Sequence, residues 1–318
     1  MVDADAWQPT ASLAALERRA ALLARMRAFF AARDVLEVEV PLLGRAGVTD
    51  VHIENLCVAG APNWYLQSSP EYFLKRFLAR HPRSLYYLGK AFRAGERGRL
   101  HHPEFTLIEW YRPGWDDAAL RVEIAALLAE LGVVGDHCAL DYGDCFNAAA
   151  GVDPHRAADA ELRELAAAAA GEPGACWRDQ PRGTCLDLVF SLVVQPRLPA
   201  GAVFVTDYPA CQAALARLEQ RPDGTAVARR FEVFLDRIEL GNGYWELTDA
   251  GEQRRRFAED LAQRAALGKP VRAPDGRLLA ALEAGLPPCA GVALGVDRLL
   301  LVLLGKQHLS EVLTFGAE

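Results

Sequence analysis

This 318-residue sequence is short of several features, and each shortage narrows its function. No uninterrupted apolar run reaches the roughly 18 residues that a membrane span needs. The longest candidate, Gly291–Gly305, is broken by Asp297 and Arg298. The opening Met1-Val2-Asp3-Ala4-Asp5-Ala6-Trp7 is acidic. It has neither the apolar core of a secretory signal nor the arginines of a transit peptide, so a cytoplasmic protein with no membrane partner is expected. Basic charge is not in excess: 35 Lys and Arg face 42 Asp and Glu, for a net charge of −7 and a pI of about 5.6. That balance argues against a protein built chiefly to grip a long nucleic acid. None of the seven cysteines has a partner at C-x-x-C spacing, and the number is odd. Buried free thiols are therefore expected, not a disulfide framework or a zinc site. The histidines form no H-x-x-x-H or H-E-x-x-H pattern. There is no internal repeat and no obvious linker.

What remains is ample material for a core, with 51% hydrophobic and 24% charged residues. Leu16, Leu22, Leu23, Met26, Phe29 and Phe30 follow helical spacing after a capping Ser12, and the helix should end near Arg33-Asp34. Val35–Val40 alternates like a strand that Pro41 stops. Ser69-Pro70-Glu71 opens a second helix, with serine as cap, proline at the first position and glutamate in the first turn. Leu85–Arg93 and Phe105–Tyr111 read as the two arms of a long hairpin around a charged loop. A helix should follow over about 115–132, and 134–200 reads as a peripheral helical insertion. Further strands are expected at Val203–Thr206, Arg230–Leu240 and Tyr244–Thr248, the last two joined by a Gly241-Asn242-Gly243 turn. Arg254–Leu267 is helical in composition, and Gly291–Leu294 and Asp297–Leu304 close the chain as strand and helix. Hairpins mixed with helices imply an α+β class, a largely antiparallel sheet flanked by helices, in one domain over 1–318.

Two segments concentrate chemistry. In Phe92–Phe105 an arginine at a strand end faces a loop dense in Arg and His, and an aromatic follows on the return strand. Arginine's planar fork suits phosphate and carboxylate oxygens, and Phe105 offers a flat surface for a base. Taken alone, the loop is equally a solvated hairpin tip. In Gly291–Arg298 small residues on a strand allow close approach of a ligand, and Arg298 places a cation at a helix start. Taken alone, this is equally ordinary strand–helix packing.

Together with the helix–strand–Pro41 unit, these segments resemble motifs 1, 2 and 3 of the class II aminoacyl-tRNA synthetases. Ser69-Pro70-Glu71-Tyr72, His101–Thr106, Glu109–Pro113 and Gly291–Arg298 are most similar to the lysyl branch, and within it to the paralogues that ligate lysine to elongation factor P. The resemblance runs from Trp7 to about Phe315 and is weakest over 134–200. It implies activation of an amino acid by ATP with Mg²⁺. Arg93 and Arg298 match the catalytic arginines, Arg93 between the α-phosphate and the substrate carboxylate, Arg298 near the γ-phosphate and adenine. Phe105 matches the adenine-stacking aromatic. Ala94, Gly95, Glu96, His102, Leu240 and Gly295 fall at further ATP-contacting positions. Glu239 and Glu246 match the glutamates that hold Mg²⁺ and contact substrate, expected to converge across a hairpin turn. Ser69, Pro70, Glu71, Tyr111, Glu246 and Ala293 match the substrate site, with Glu71 and Glu246 supplying charge for a dibasic substrate. Without the resemblance, Glu239 and Glu246 read as surface residues.

Departures from the family pattern carry their own expectations. Ala94 and Gly95 stand where Asn and Glu are usual, so Glu96 is expected to reach the adenine amino group on a flexible Gly95. His102 replaces a usual asparagine and can still donate a hydrogen bond. Ala293, where lysyl-tRNA synthetases have glycine, goes in the ligases with preference for (R)-β-lysine. About a dozen residues precede the first helix, too few for an anticodon-binding barrel, so elongation factor P and not tRNA is the expected acceptor. A homodimer through the motif 1 region is expected. A lysine-activating enzyme with another acceptor, or a non-catalytic paralogue regulating a partner, are the alternatives.

Overall fold

The computed structural model describes residues 7–61 and 63–316. The acidic opening read above for targeting, Met1–Ala6, lies outside them. The chain forms two compact units. The first runs to Val133 and resumes at Thr248; the second is Val134–Leu247.

The first unit begins with α1 (Leu13–Ala31), capped by Ser12, whose hydroxyl accepts from the Ala15 amide at 3.3 Å. β1 (Leu36–Glu37), β2 (Leu43–Gly44) and β3 (Tyr65–Leu66) are short. α2 spans Glu71–Arg80 with Pro70 as its N-cap, one residue later than expected, and Ser69 Oγ accepts from the Glu71 amide at 3.0 Å. β4 (Leu85–Phe92) and β5 (Glu104–Pro113) form the expected hairpin, in register from Leu85 with Tyr111 to Phe92 with Glu104. α3 covers Asp117–Glu130. Phe30 of α1 stacks on Tyr86 at 4.7 Å and meets the Trp110 edge at 5.1 Å, which seats the helix on this hairpin.

The second unit opens with a strand, β6 (His137–Asp141), where helix was expected. Helices α4 (Tyr142–Ala150), α5 (Asp159–Ala170) and α6 (Arg182–Val189) then follow. β7 (Ala202–Pro209), β8 (Leu218–Gln220), β9 (Ala226–Leu235) and β10 (Ile238–Trp245) complete it. Tyr142, Phe146, Phe190, Tyr208 and Phe234 form its aromatic core.

The Gly241-Asn242-Gly243 turn is not present. The β9–β10 turn is at Asp236-Arg237, whose φ values of 48° and 68° are those of a tight primed hairpin. Gly241–Gly243 lies inside β10. Gly243 is glycine for a packing reason: a Cβ there would stand 2.3 Å from Phe231 Cζ.

Back in the first unit, α7 (Ala250–Ala266) lacks an apolar stripe because it buries polar residues. Arg264 donates to both Glu54 carboxylate oxygens at 2.9 and 3.0 Å and to the Asp50 carbonyl at 2.7 Å. α8 (Gly276–Gly285), β11 (Cys289–Gly295) and α9 (Val296–Leu303) end the unit. Its strands run in the order β1, β4, β5, β11. Pairing is antiparallel except that β1 meets β4 in parallel; in the second unit β6 likewise runs parallel to β7. The class is α+β, with a mixed rather than wholly antiparallel strand set. All seven thiols are free, but only Cys185 and Cys289 are fully buried, and Cys57, Cys176 and Cys211 are exposed. Among the described residues no helix is long and apolar enough to cross a membrane.

Candidate active site

The β4–β5 hairpin sets the site in the first unit. Arg93 follows the end of β4, and its amide donates to the Pro103 carbonyl at 2.9 Å. Its guanidinium stands 5.1 Å from the Phe105 ring centroid. Arg93 Nε is buried with no hydrogen-bond partner among the described residues. An orphaned guanidinium N–H beside an aromatic face is ready for an oxyanion. Glu96 approaches Arg93 to 3.6 Å. Gly95 has φ of +77°, so it makes a defined left-handed turn between them, not a loose hinge. Ala94 is fixed by its amide, which donates to the Glu54 carbonyl at 2.8 Å.

His102 Nδ1 lies 2.7 Å from the Glu104 carbonyl, while Nε2 is buried and without a partner. With Nδ1 donating, neutral His102 offers Nε2 as an acceptor; it donates from Nε2 only in its other tautomer or when protonated. Arg298 Nε donates to the Leu100 carbonyl at 3.1 Å, and its Nη2 is 2.9 Å from His101 Nε2. The cation at the start of α9 therefore has protein partners and ties the helix to the charged loop.

Sequence reasoning did not single out the carboxylate beside Arg298. Asp297, 3% exposed, accepts from Arg19 Nη1 at 2.6 Å and from the Thr106 amide at 2.7 Å. Arg19 also donates to Thr106 Oγ1 at 2.7 Å. One carboxylate thus joins α1, β5 and α9.

The second cluster centres on Glu109, another residue that was not assigned a role. It is 2% exposed and accepts from Ser69 Oγ at 2.7 Å and from the Tyr111 hydroxyl at 2.8 Å. Alternation along β5 puts Glu109 and Tyr111 on one face. Ala293 of β11 is in register opposite Glu109 and half-buried, so its methyl stands beside this carboxylate. Gly295 is opposite Leu107. Pro70 is buried at the start of α2. Glu71 already has a cationic partner, since buried Lys75 donates to its Oε1 at 2.7 Å. Glu71 and Glu109 are thus both tied to Ser69, whose Oγ accepts from the Glu71 amide and donates to the Glu109 carboxylate.

Glu239, Leu240 and Glu246 belong to the second unit. They do not converge across a turn, because Glu239 lies in β10 and Glu246 directly follows it. Register slips between Glu239 and Gly241, a bulge of one residue at Leu240. That extra residue gives Glu239 the same pleat parity as Asn242, Tyr244 and Glu246. Half-buried Glu232, beside Arg230 at 2.6 Å, has its carboxyl pushed up to about 7, first by desolvation and further by the Glu239 charge, against the pull of Arg230. Carboxylate oxygens on one negatively charged face are the donors that Mg²⁺ prefers. Among the described residues no cluster of three or more His, Cys, Asp or Glu is arranged to hold a metal.

The family described as tRNA synthetases class II (D, K and N) matches residues 6–139 and 187–318. The gap between those ranges covers α4 and α5. Relatives named elongation factor P–(R)-β-lysine ligase match along nearly the whole chain. The one from Vibrio cholerae is 44% identical, over 97% of this chain and 97% of its own. Those from Erwinia tasmaniensis and Hamiltonella defensa are 44% and 41% identical, each over 100% of this chain and 99% of their own.

Proposed function

This chain belongs to the class II tRNA synthetase family, in the group of elongation factor P–(R)-β-lysine ligases, and we propose that it attaches (R)-β-lysine to a lysine of elongation factor P at the expense of ATP. The observation that carries this reading is the Arg93 guanidinium over Phe105, with a buried Nε that lacks a protein acceptor. A nucleotide phosphate supplies that acceptor, and the ring supplies a surface for the base.

In the first step the substrate carboxylate attacks the α-phosphorus of ATP, and the bond to the leaving pyrophosphate breaks. Little covalent help is needed; the residues act by positioning and by neutralising charge. Arg93 spans the α-phosphate and the attacking carboxylate. Arg298, held by the Leu100 carbonyl and His101, serves the distal phosphates. His102, with its proton on Nε2 and Nδ1 accepting from the Glu104 amide, donates at the phosphate-binding loop. Glu109, oriented by Ser69 and Tyr111, takes a substrate ammonium, and Glu71 and Glu246 contribute further negative charge. Glu239 and Glu246 are the proposed Mg²⁺ ligands; when bound, the ion offsets phosphate charge. In the second step the ε-amine of the acceptor lysine attacks the acyl carbon, an amide forms and AMP leaves.

The chain is further proposed to act as a cytoplasmic homodimer, without charging tRNA. ATP–pyrophosphate exchange with (R)-β-lysine, α-lysine or no amino acid tests the first step. Exchange strongest with (R)-β-lysine is expected. Exchange with α-lysine alone would favour a synthetase-like enzyme, and none with any of them would favour the non-catalytic alternative.

A further inference from the structure

A cavity of about 520 Å³ opens in the first unit between α2, the β2–β3 pair and the start of α8. Ser69, Tyr72, Phe73 and Arg76 line it. Their spacing is that of one helical face, and Glu71 and Lys75 are not on it. The cavity wall carries three guanidinium groups, Arg45, Arg76 and Arg277. None has a carboxylate partner among the described residues.

Two of the three are held by aromatic walls of the same cavity. Arg45 lies 4.6 Å from the Trp64 centroid and Arg76 lies 5.3 Å from that of Phe73. Stacking uses the flat face of a guanidinium and leaves its N–H edge for a ligand. The carboxylate in the wall, Asp275, is committed to the backbone: it accepts from the Arg277 and Leu278 amides at 2.8 and 3.3 Å and so caps α8. Two deeper side chains are polar and incompletely satisfied. Ser68 is 3% exposed with an unpartnered Oγ, and Gln67 is 7% exposed with an unpartnered Oε1. Gln67 Nε2 donates to the Tyr87 hydroxyl at 3.1 Å and the Lys90 carbonyl at 3.0 Å, which fixes the direction of that free oxygen. Buried polar atoms in folded proteins nearly always find a partner.

We propose that this cavity is a second ligand site, for a molecule with a phosphate or carboxylate group. The anionic group is held by Arg45, Arg76 and Arg277, and a hydrogen-bonding portion of the ligand reaches Ser68 and Gln67. Three guanidinium charges against the single Asp275 carboxylate repel a dibasic amino acid, so the site is not the ammonium cluster around Glu109. Ser69 borders both, since its hydroxyl donates to Glu109.

Calorimetric titration of the full chain with inorganic pyrophosphate tests this. Two binding events per chain are expected. The double variant Arg76→Gln/Arg277→Gln weakens one of them at least tenfold and spares the other, while Arg298→Gln has the opposite pattern. Ser68→Ala, a smaller change, weakens the same event as the double variant and stands in for it if that protein fails to fold. Competition by citrate assigns a carboxylate-type ligand, and failure of citrate to compete assigns a phosphate. If neither the double variant nor Ser68→Ala weakens any event, whether one event or two are seen, the proposal is overturned. The comparison also separates the two sites: if Arg298→Gln changes nothing, the nucleotide reading fails while this one stands.

Discussion

Arg93 is a residue whose type, rather than its charge alone, carries the account. Arg93→Lys keeps the cation and loses the planar fork, and its ATP–pyrophosphate exchange should fall by about 100-fold or more. Retained exchange would mean that the orphaned Nε has no ligand. Ala293 makes a different prediction. Its methyl faces Glu109 across β11 and β5, so Ala293→Gly should move the ratio of (R)-β-lysine to α-lysine activation by about 10-fold or more, on the scale of one methyl in a pocket. Parallel kcat/KM values for the two amino acids check it. An unchanged ratio would make the alanine a packing substitution only. Arg93, Phe105 and Arg298 stood out through the resemblance their segments carry together, since each segment taken alone reads equally as a solvated hairpin tip or as strand–helix packing. Glu109 was not, because a glutamate in an alternating strand looks solvent-facing until the fold covers it. Lys75 was hidden for the same reason: nothing in Glu71–Arg80 marks which lysine is buried.

At the scale of elements, the Asp297 contacts join two helices and a strand. Asp297→Ala leaves the Arg19 guanidinium and the Thr106 amide without their acceptor, and should cost about 3–5 kcal/mol in denaturant unfolding. A loss under 1 kcal/mol would show that the join is incidental. α7 carries a pH-dependent contribution. Burial pushes the Asp260 carboxyl up from 3.8 to about 6, although Thr49 Oγ1 donates to it at 2.8 Å and pulls the other way. The folded state thus keeps its proton longer than the unfolded state. Stability from this group is therefore lost as pH rises from about 4 to about 6. Asp260→Asn should match the parent below pH 4 and exceed it by about 1–2 kcal/mol near pH 7, allowing for partial exposure. A gap that does not vary with pH would contradict this. Long elements were legible here, and α1, α2 and the β4–β5 hairpin stand where capping and alternation put them. The β9–β10 turn was not, since Asp236-Arg237 lacks the glycine that usually marks a primed turn, while Gly243 marks a close approach of Phe231. β6 was masked by the helix-rich composition that follows it.

On the molecular scale, the family match skips 140–186, which falls wholly within the second unit and is where the sequence said least. Alanine-rich helices such as α5 fit many folds, so composition could not show that a strand, β6, opens the unit. The proposed homodimer predicts a solution mass of twice the 34.7 kDa chain by light scattering, and a mass equal to one chain would remove it. The central claim concerns the acceptor, and the most direct test is to incubate the chain with ATP, Mg²⁺, (R)-β-lysine and purified elongation factor P and weigh the factor by mass spectrometry. The account predicts a gain of one β-lysyl group on a single lysine, formed about 100-fold or more slowly by Arg93→Lys. An unmodified factor in a reaction that still supports pyrophosphate exchange would contradict it.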